Sequence, residues 1–438
     1  MIHRFQISNL FFIGCSCCAY LLLGYSTNRT DFFQLLSLFL FLCFLAYRWL
    51  PQLSLKQIFW SGLFFRLLLL GTIPALSQDF YRFIWDGLLL DAGQNPYALP
   101  PNAIANESIP FQSFLLEKMG ELSAENHSNY PPISQLGFWF STQLFSSSIF
   151  STVVGMRLLL ILSDMGIFFL GTRLLTHFQM NPHRIGWYFL HPLVIVELTG
   201  NLHGEALMLF FFLGGWYLYT KKKFGWASLS FAAAVATKLI PLLLYPVFIR
   251  FQKLKTNVIM GLCGLTGLLL FFLPFFHSLD FSTYIATIQL WFKQFEFNGS
   301  IYYLIRSLGY QWKGYNIIRQ WGEIVPWILL CWVLFFAFYK KKKTAKEIFS
   351  AMLILLSGYY FIASIVHPWY LVNLILLGVF TSYRFPMVWG AAVIVSYFTY
   401  STPSFTENMW LIGLEYGLVY GVFWWEWRNK KALFHHFQ

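Results

Sequence analysis

The sequence predicts an all-α, polytopic membrane protein with about twelve transmembrane helices and one helical hairpin, up to about fourteen crossings in all. Three observations carry this expectation. Of 438 residues, 58% are hydrophobic and 21% aromatic but only 11% charged, against about 25% charged in soluble domains. Apolar runs of spanning length recur from one end of the chain to the other. Lysine and arginine gather in short segments between those runs, so the net charge of +12 reads as positive-inside asymmetry, not as a footprint for nucleic acid. A soluble enzyme, a disordered chain and a nucleic-acid binder are excluded.

A bilayer core takes about 20 mostly apolar residues per helix. The runs that meet this test are 8–25, 31–50, 57–76, 153–174, 185–199, 205–220, 256–276, 324–339, 348–366, 369–383, 386–400 and 409–427. The first has no small-residue cleavage site after Gly24-Tyr25 and is expected to stay as an uncleaved helix. All six cysteines lie inside apolar runs without zinc spacing. Segment 224–249 is flanked by Lys221, Lys222 and Lys223 on one side and by Arg250, Lys253 and Lys255 on the other. It must enter and leave on the same side, as a hairpin turning near Lys238-Leu-Ile-Pro241. The lysine run 340–343 and the group Arg428, Lys430 and Lys431 complete the cytoplasmic set. Parity then lays 132–150 along the outer interface as a helix and puts both termini in the cytoplasm. Two large outer segments result, 77–152 and 277–323, both rich in aromatic residues suited to the headgroup level. The chain divides accordingly into two N-terminal helices (1–56), a module over 57–255 with the first outer loop, and a module over 256–438 with the second.

Chemistry concentrates on the outer side. The first loop opens Asp79-Phe-Tyr-Arg82-Phe-Ile-Trp-Asp86-Gly87. On a helix over 79–91, Asp79, Arg82 and Asp86 share one stripe about 60° wide. An Arg82–Asp86 pair at i, i+4 accounts for two of these charges and leaves Asp79 free at the membrane boundary. Asn201, His203 and Glu205 crowd a break of a few residues between apolar helices, beyond what a turn requires. Zinc at His203-x-Glu205 lacks a third ligand in sequence. Lys238, about 20 Å of helix rise from the cytoplasmic side, is an ionisable residue within the membrane and so a functional candidate. It is expected to meet an anionic headgroup, or else Glu197 or Asp164. Arg66, Arg157, Asp164 and Glu415 are expected in packed ion pairs. His367-Pro-Trp369-Tyr370 begins another outer turn. A transporter would instead gather polar residues near the midplane in two related halves.

These motifs match a known pattern. Asp79-Phe-Tyr-Arg82-Phe-Ile-Trp-Asp86-Gly87, Asn95-Pro-Tyr97, Tyr130-Pro-Pro132, Asn201-Leu-His203-Gly-Glu205-Ala-Leu-Met208, Thr237-Lys238-Leu-Ile-Pro241 and His367-Pro-Trp-Tyr370 occur in this order over 57–370. The sequence resembles the GT-C superfamily of polytopic glycosyltransferases, and within it the bacterial polyprenyl-phosphate-mannose-dependent mannosyltransferases. The family typically has Asn-Asp where this chain has Gly204-Glu205. The resemblance implies inverting transfer of a sugar, commonly mannose, from a polyprenyl-phosphate donor to a glycan or glycolipid acceptor outside the cytoplasm of a bacterial inner membrane. It implies two interfacial helices in the first outer loop and an acidic base early in that loop. On this sequence the base is Asp79, with Asp86 as second catalytic candidate. A phosphate leaving group needs cations, and Lys238, Arg82 and His367 are the candidates in that order. Asn201, His203, Glu205, Tyr130 and Trp369 are candidate substrate contacts. No Asp-x-Asp is present, so no cofactor or obligatory metal is expected, although Asp79 and Asp86 could share an ion. A lipid-linked oligosaccharide polymerase or ligase would rely on outer-loop arginines, and Lys293, Arg306, Lys313 and Arg319 keep that reading open, as does a lipid or sugar flippase.

Overall fold

The computed structural model describes residues 2–104, 109–145, 147–277, 279–339 and 344–429. The lysine run 340–343 and Lys430 and Lys431 lie outside the described residues. Among those described, every regular element is helical, and the one β-like pairing is a bridge between Phe297 and Ile365.

Among the described residues, five helices are long and apolar enough to cross a membrane: Phe32–Gln52, Ile149–His177, Leu254–Phe275, Ile318–Phe338 and Ala345–Ile362. Ile149–His177, at 29 residues, is about 44 Å long. Its N-terminus is fixed by a capping box in which Ser148 and Ser151 satisfy each other's backbone N–H. Thr344 and Glu347 do the same for Ala345–Ile362. Leu254–Phe275 and Ile318–Phe338 leave most of their surface outside the bundle, as lipid-facing helices must.

Several other expected spans are shorter or broken, while Ile2–Tyr25 and Met409–Asn429 run unbroken for 24 and 21 residues. Leu371–Val379 has nine residues, all buried. An apolar run that is hydrophobic all round reads as a span in sequence, but here it is the centre of the bundle. Segments 185–199 and 205–220 do not form two spans: Pro192–Gly200 and Glu205–Thr220 are one pair bent by 113°. The first half ends in a π turn, Ile195–Gly200, closed by Asn201 N–H to Val196 O at 2.9 Å, and Leu202 follows at a φ of 65°. Single π turns inside helices mark sites where a side chain must be re-aimed. The expected hairpin reverses where predicted. Phe224–Thr237 stops at Lys238, which is extended, and the returning Phe248 packs 5.6 Å from Phe231. Its return leg is two short turns, Pro241–Leu244 and Tyr245–Phe248, because Pro241 and Pro246 interrupt the ladder.

The first large loop holds the two expected helices, Asp79–Asp91 and Pro132–Phe145. They pack on each other, with Phe83 stacked on Phe138 at 4.6 Å. Gly87 lets the backbones touch, since a β-carbon there would lie 2.8 Å from Phe138 O. Asp79–Asp91 is buried on nearly all sides and roofed by residues 119–128, with Asp79 at its start only partly buried.

Of the charges expected in packed ion pairs, Arg66 and Asp164 do pair, at 2.9 Å and fully buried. Arg157 instead donates only to carbonyls: Leu70 O, Thr72 O, Thr199 O and Gly200 O, at 2.7–3.1 Å. It ties together two chain ends that carry no hydrogen-bonding ladder of their own, the exit of Leu55–Leu68 and the bend at 200. Glu415 accepts from Asn298 and Trp389, with no cation in its ion-pair shell. A helix-wheel argument identifies a buried charge but not its partner.

Candidate active site

The exit locked by Arg157 leads directly to Asp79. Its backbone N–H donates to Ser77 Oγ at 3.2 Å, and it is the first residue of its helix, where a negative side chain is favoured by the helix dipole. Its carboxylate receives no hydrogen bond from the described residues. Burial pushes its pKa up to about 6, against the pull of Lys238 and Arg29 and with Glu205 adding to the rise.

One turn on, Arg82 is held from three directions. Its Nε donates to Asp86 Oδ1 at 2.7 Å, and Nη1 donates to Ser123 O and Asn126 O. Nη2 is buried without a partner. Asp86 is fully committed: Oδ2 accepts from Ser128 Oγ at 2.6 Å and Gln135 Nε2 at 2.9 Å. It lies behind Arg82 and off the cavity wall, where it holds the Arg82 guanidinium. Asp86 is not on the cavity wall that Asp79 lines. Among the described residues, no group of three His, Cys, Asp or Glu side chains is arranged to hold a metal ion.

The bend after Gly200 brings the second group. Asn201 Oδ1 accepts from Leu76 N–H at 3.3 Å, and its Nδ2 donates to Glu197 Oε2 at 3.1 Å. Asn201 therefore braces the Asp79 loop and is not among the residues that line the cavity. Glu197 is further held by Tyr397 OH at 2.6 Å. Glu205, fully buried, pairs with Lys238, whose side chain is 19% exposed. Lys238 thus finds neither Glu197 nor Asp164 but the acidic residue of the break itself. Glu205 acts on the site through Lys238 and does not line it.

His203, Trp369 and His367 form one stack, with ring centroids 3.8 Å and 4.3 Å apart and planes within 16°. His203 Nε2 is 3.6 Å from Glu197, too long for a hydrogen bond. Burial and the nearby Lys238 hold His203 well below its ordinary value, and drive His367 down to about 3. Both imidazoles are thereby held towards the neutral form. His367 Nδ1 remains buried without a partner.

Asp79, Arg82, Tyr130, His203, Lys238, His367 and Trp369 all line one cavity of about 500 Å³. Tyr130 sits edge-on to Phe83 at 5.0 Å, and Pro132 starts the helix that carries this packing. Asp79 is the one carboxylate on the described wall. Sequence reasoning missed Arg29, Tyr370 and Tyr400, which also line it. Arg29 comes from the loop between the first two helices, donates to Gln78 Oε1 at 3.4 Å, and lies 5.1 Å over the Tyr400 ring. Nothing in Thr27-Asn-Arg29-Thr-Asp31 marks it off from an ordinary turn. The cavity wall draws on residues 29–240, on Ile288 and on residues 359–405.

Comparison with known proteins adds a family. The family model described as alpha-(1->6)-mannopyranosyltransferase, N-terminal domain, matches residues 22–252. Among curated relatives, an alpha-(1->6)-mannopyranosyltransferase A from Corynebacterium glutamicum is 27% identical over 174 residues, covering 39% of this chain and 34% of that protein. One of the same name from Mycobacterium tuberculosis is 27% identical over 141 residues, covering 32% of this chain and 26% of that protein. The chain therefore matches about a third or less of the length of these relatives.

Proposed function

The chain belongs to the alpha-(1->6)-mannopyranosyltransferase family, and on that premise we propose that it transfers a mannosyl unit, with inversion, from a polyprenyl-phosphate donor to a glycan or glycolipid acceptor. One observation carries the reading: a single partner-free carboxylate, Asp79, shares a cavity with Lys238 and Arg82. The acceptor hydroxyl attacks the anomeric carbon while Asp79 takes its proton. The bond from that carbon to the phosphate oxygen breaks on the opposite face, and the phosphate leaves with the electron pair. Lys238 and the free Nη2 of Arg82 meet the charge it carries. Phosphate is already a good leaving group, so no general acid is required, which suits two neutral histidines.

With its charge offset by these side chains, the reaction needs no obligatory metal ion. The relatives' printed name supports mannose and an alpha-(1->6) linkage. The positively charged loops support cytoplasmic termini in a bacterial inner membrane and a cavity facing the other side. The oligosaccharide polymerase or ligase reading loses support, because Arg306 is occupied by Glu296, Lys293 lies 3.7 Å from Glu323, and neither lines the cavity. Membranes holding the protein, supplied with labelled polyprenyl-phosphate-mannose and an acceptor, should form a new glycosidic bond. Movement of label across the bilayer without that bond would establish a flippase instead.

A further inference from the structure

A second polar cluster lies inside the bundle, where residues 296–300 pass the helix Met409–Asn429. Asn298, fully buried, is at its centre with a φ of 51°, a conformation non-glycine residues hold only when their surroundings enforce it. Its N–H donates to Glu407 Oε1 at 2.6 Å, its Nδ2 donates to Glu415 Oε1 at 3.1 Å, and its carbonyl accepts from Tyr416 OH at 2.7 Å. Trp389 Nε1 also donates to Glu415 Oε1, at 2.9 Å. Two buried acceptors are left over, Glu415 Oε2 and Asn298 Oδ1. They belong to the two residues of one hydrogen-bonded pair.

A buried carboxylate with one oxygen lacking a donor, and no cation in its ion-pair shell, is strongly disfavoured. One proton removes both deficits. Placed on Oε2, it gives an O–H that donates to Asn298 Oδ1, while Nδ2 continues to donate to Oε1. We infer that Glu415 is held as a neutral carboxylic acid, closed into a two-bond ring with the Asn298 amide, and that this pair positions the cavity wall carrying His367 and Trp369.

The path to that wall is short. The neighbour of Asn298, Phe297, donates its N–H to Ser364 O at 3.0 Å and accepts from Val366 N–H at 2.8 Å. Its ring packs 5.0 Å from His367. The groups facing Glu415 favour the neutral form. Glu407 is a like charge and is itself occupied by Asn298 N–H and Tyr303 OH. Tyr416 and Tyr420 come from its own helix, Trp389 from Phe385–Ala392, and none of these carries a positive charge.

The positioning role rests on the transferase reading above, whereas the protonation does not, and the test separates them. In Glu415→Gln, Nε2 donates to Asn298 Oδ1 while Oε1 accepts from Asn298 and Trp389, so the ring survives without a titratable group. The infrared difference spectrum at neutral pH, wild type minus E415Q, should show the carbonyl stretch of a protonated carboxylic acid. Its absence overturns the neutral pair, whatever the activity. E415Q should transfer mannose within about twofold of wild type, as a substitution that keeps every contact does. E415L leaves the Asn298 and Trp389 donors unsatisfied and should lose about tenfold or more. If E415L does not fold, E415D, which retracts the carboxyl from the amide, takes its place with the same expectation. An E415Q as impaired as these, or a folded E415L or E415D with wild-type transfer, overturns the positioning role.

Discussion

Asp79→Asn distinguishes a base from a scaffold residue, because the two roles predict opposite changes in stability. Burial lifts the Asp79 carboxyl from its ordinary 3.8 to about 6. Each unit is worth about 1.4 kcal/mol between the two protonation states, so ionised Asp79 costs the fold up to about 3 kcal/mol, less whatever solvent at the cavity mouth screens. The sign follows from proton binding. Between pH 3.8 and 6 the folded state holds this proton more often than the unfolded state, so stability falls as pH rises through that window and levels off above it. At pH 7 the wild type carries the whole penalty, which Asn does not. D79N should therefore melt at a higher temperature than wild type in detergent at pH 7, with the gap closing towards pH 4. Transfer should meanwhile drop about 10²–10⁴-fold, the usual contribution of a positioned base. In wild type, the ionised fraction falls from about 0.9 at pH 7 to about 0.1 at pH 5, so kcat/KM should fall about tenfold over that range. A D79N protein that melts below wild type at pH 7, or keeps more than about a tenth of its activity, refutes the reasoning.

Other perturbations test the supports. Lys238→Met strands the buried Glu205 and should cost about 3–5 kcal/mol of stability, nearer the low end because the Lys238 side chain is partly exposed. The double variant K238M/E205L should recover that stability in thermal melts but not the transfer, and recovery of both would remove Lys238 from phosphate binding. Arg29→Gln takes away one of the two cations that hold Asp79 down, so the acid limb of the pH–kcat/KM profile should move to higher pH, and an unmoved limb would show that Arg29 does not act on the base. Gly87→Ala forces a β-carbon against the carbonyl of Phe138 and should destabilise by about 1–3 kcal/mol, as overpacking does, with wild-type stability counting against the close helix contact.

Much of the site was legible because its residues are chemically out of place in an apolar sequence. Asp79, Lys238, His203 and His367 stand out against their neighbours, and the chain brings all four to one cavity. What the sequence does not contain is which groups cover which. The helix wheel puts Asp86 on the same stripe as Asp79, yet residues 123–128 fold over one end of that stripe and occupy Asp86 with Ser128 and Gln135. Lys238 meets Glu205 only because the chain bends by 113° between Gly200 and Glu205, a tertiary fact with no periodic signal. Span counting fails for the same reason at Leu371–Val379. Hydropathy measures how apolar a run is, and a helix surrounded by protein is as apolar as one surrounded by lipid. Arg29 was invisible because polar turn residues are the rule between helices, and its reach to Tyr400 is set by packing about 370 residues away in sequence.

The arrangement of charge also supports the proposal of Asp79, over another acid, as the base. Both paired cations of the cavity carry a carboxylate behind them, Asp86 for Arg82 and Glu205 for Lys238. In a low-dielectric site an unpartnered cation is penalised. The rear carboxylates keep the charge in place before any substrate arrives. They are themselves anchored away from the cavity, Asp86 by Ser128 and Gln135 and Glu205 in the first turn of its helix, where the dipole favours it. An arriving phosphate can then use the donors left over, Arg82 Nη2 and the remaining ammonium hydrogens of Lys238, without breaking either pair, which is the preorganisation that lowers a charged barrier. Three carboxylates surround the chemistry, and two are occupied in holding cations. A base must be free to accept a proton, and the acid without a hydrogen-bonded partner is Asp79.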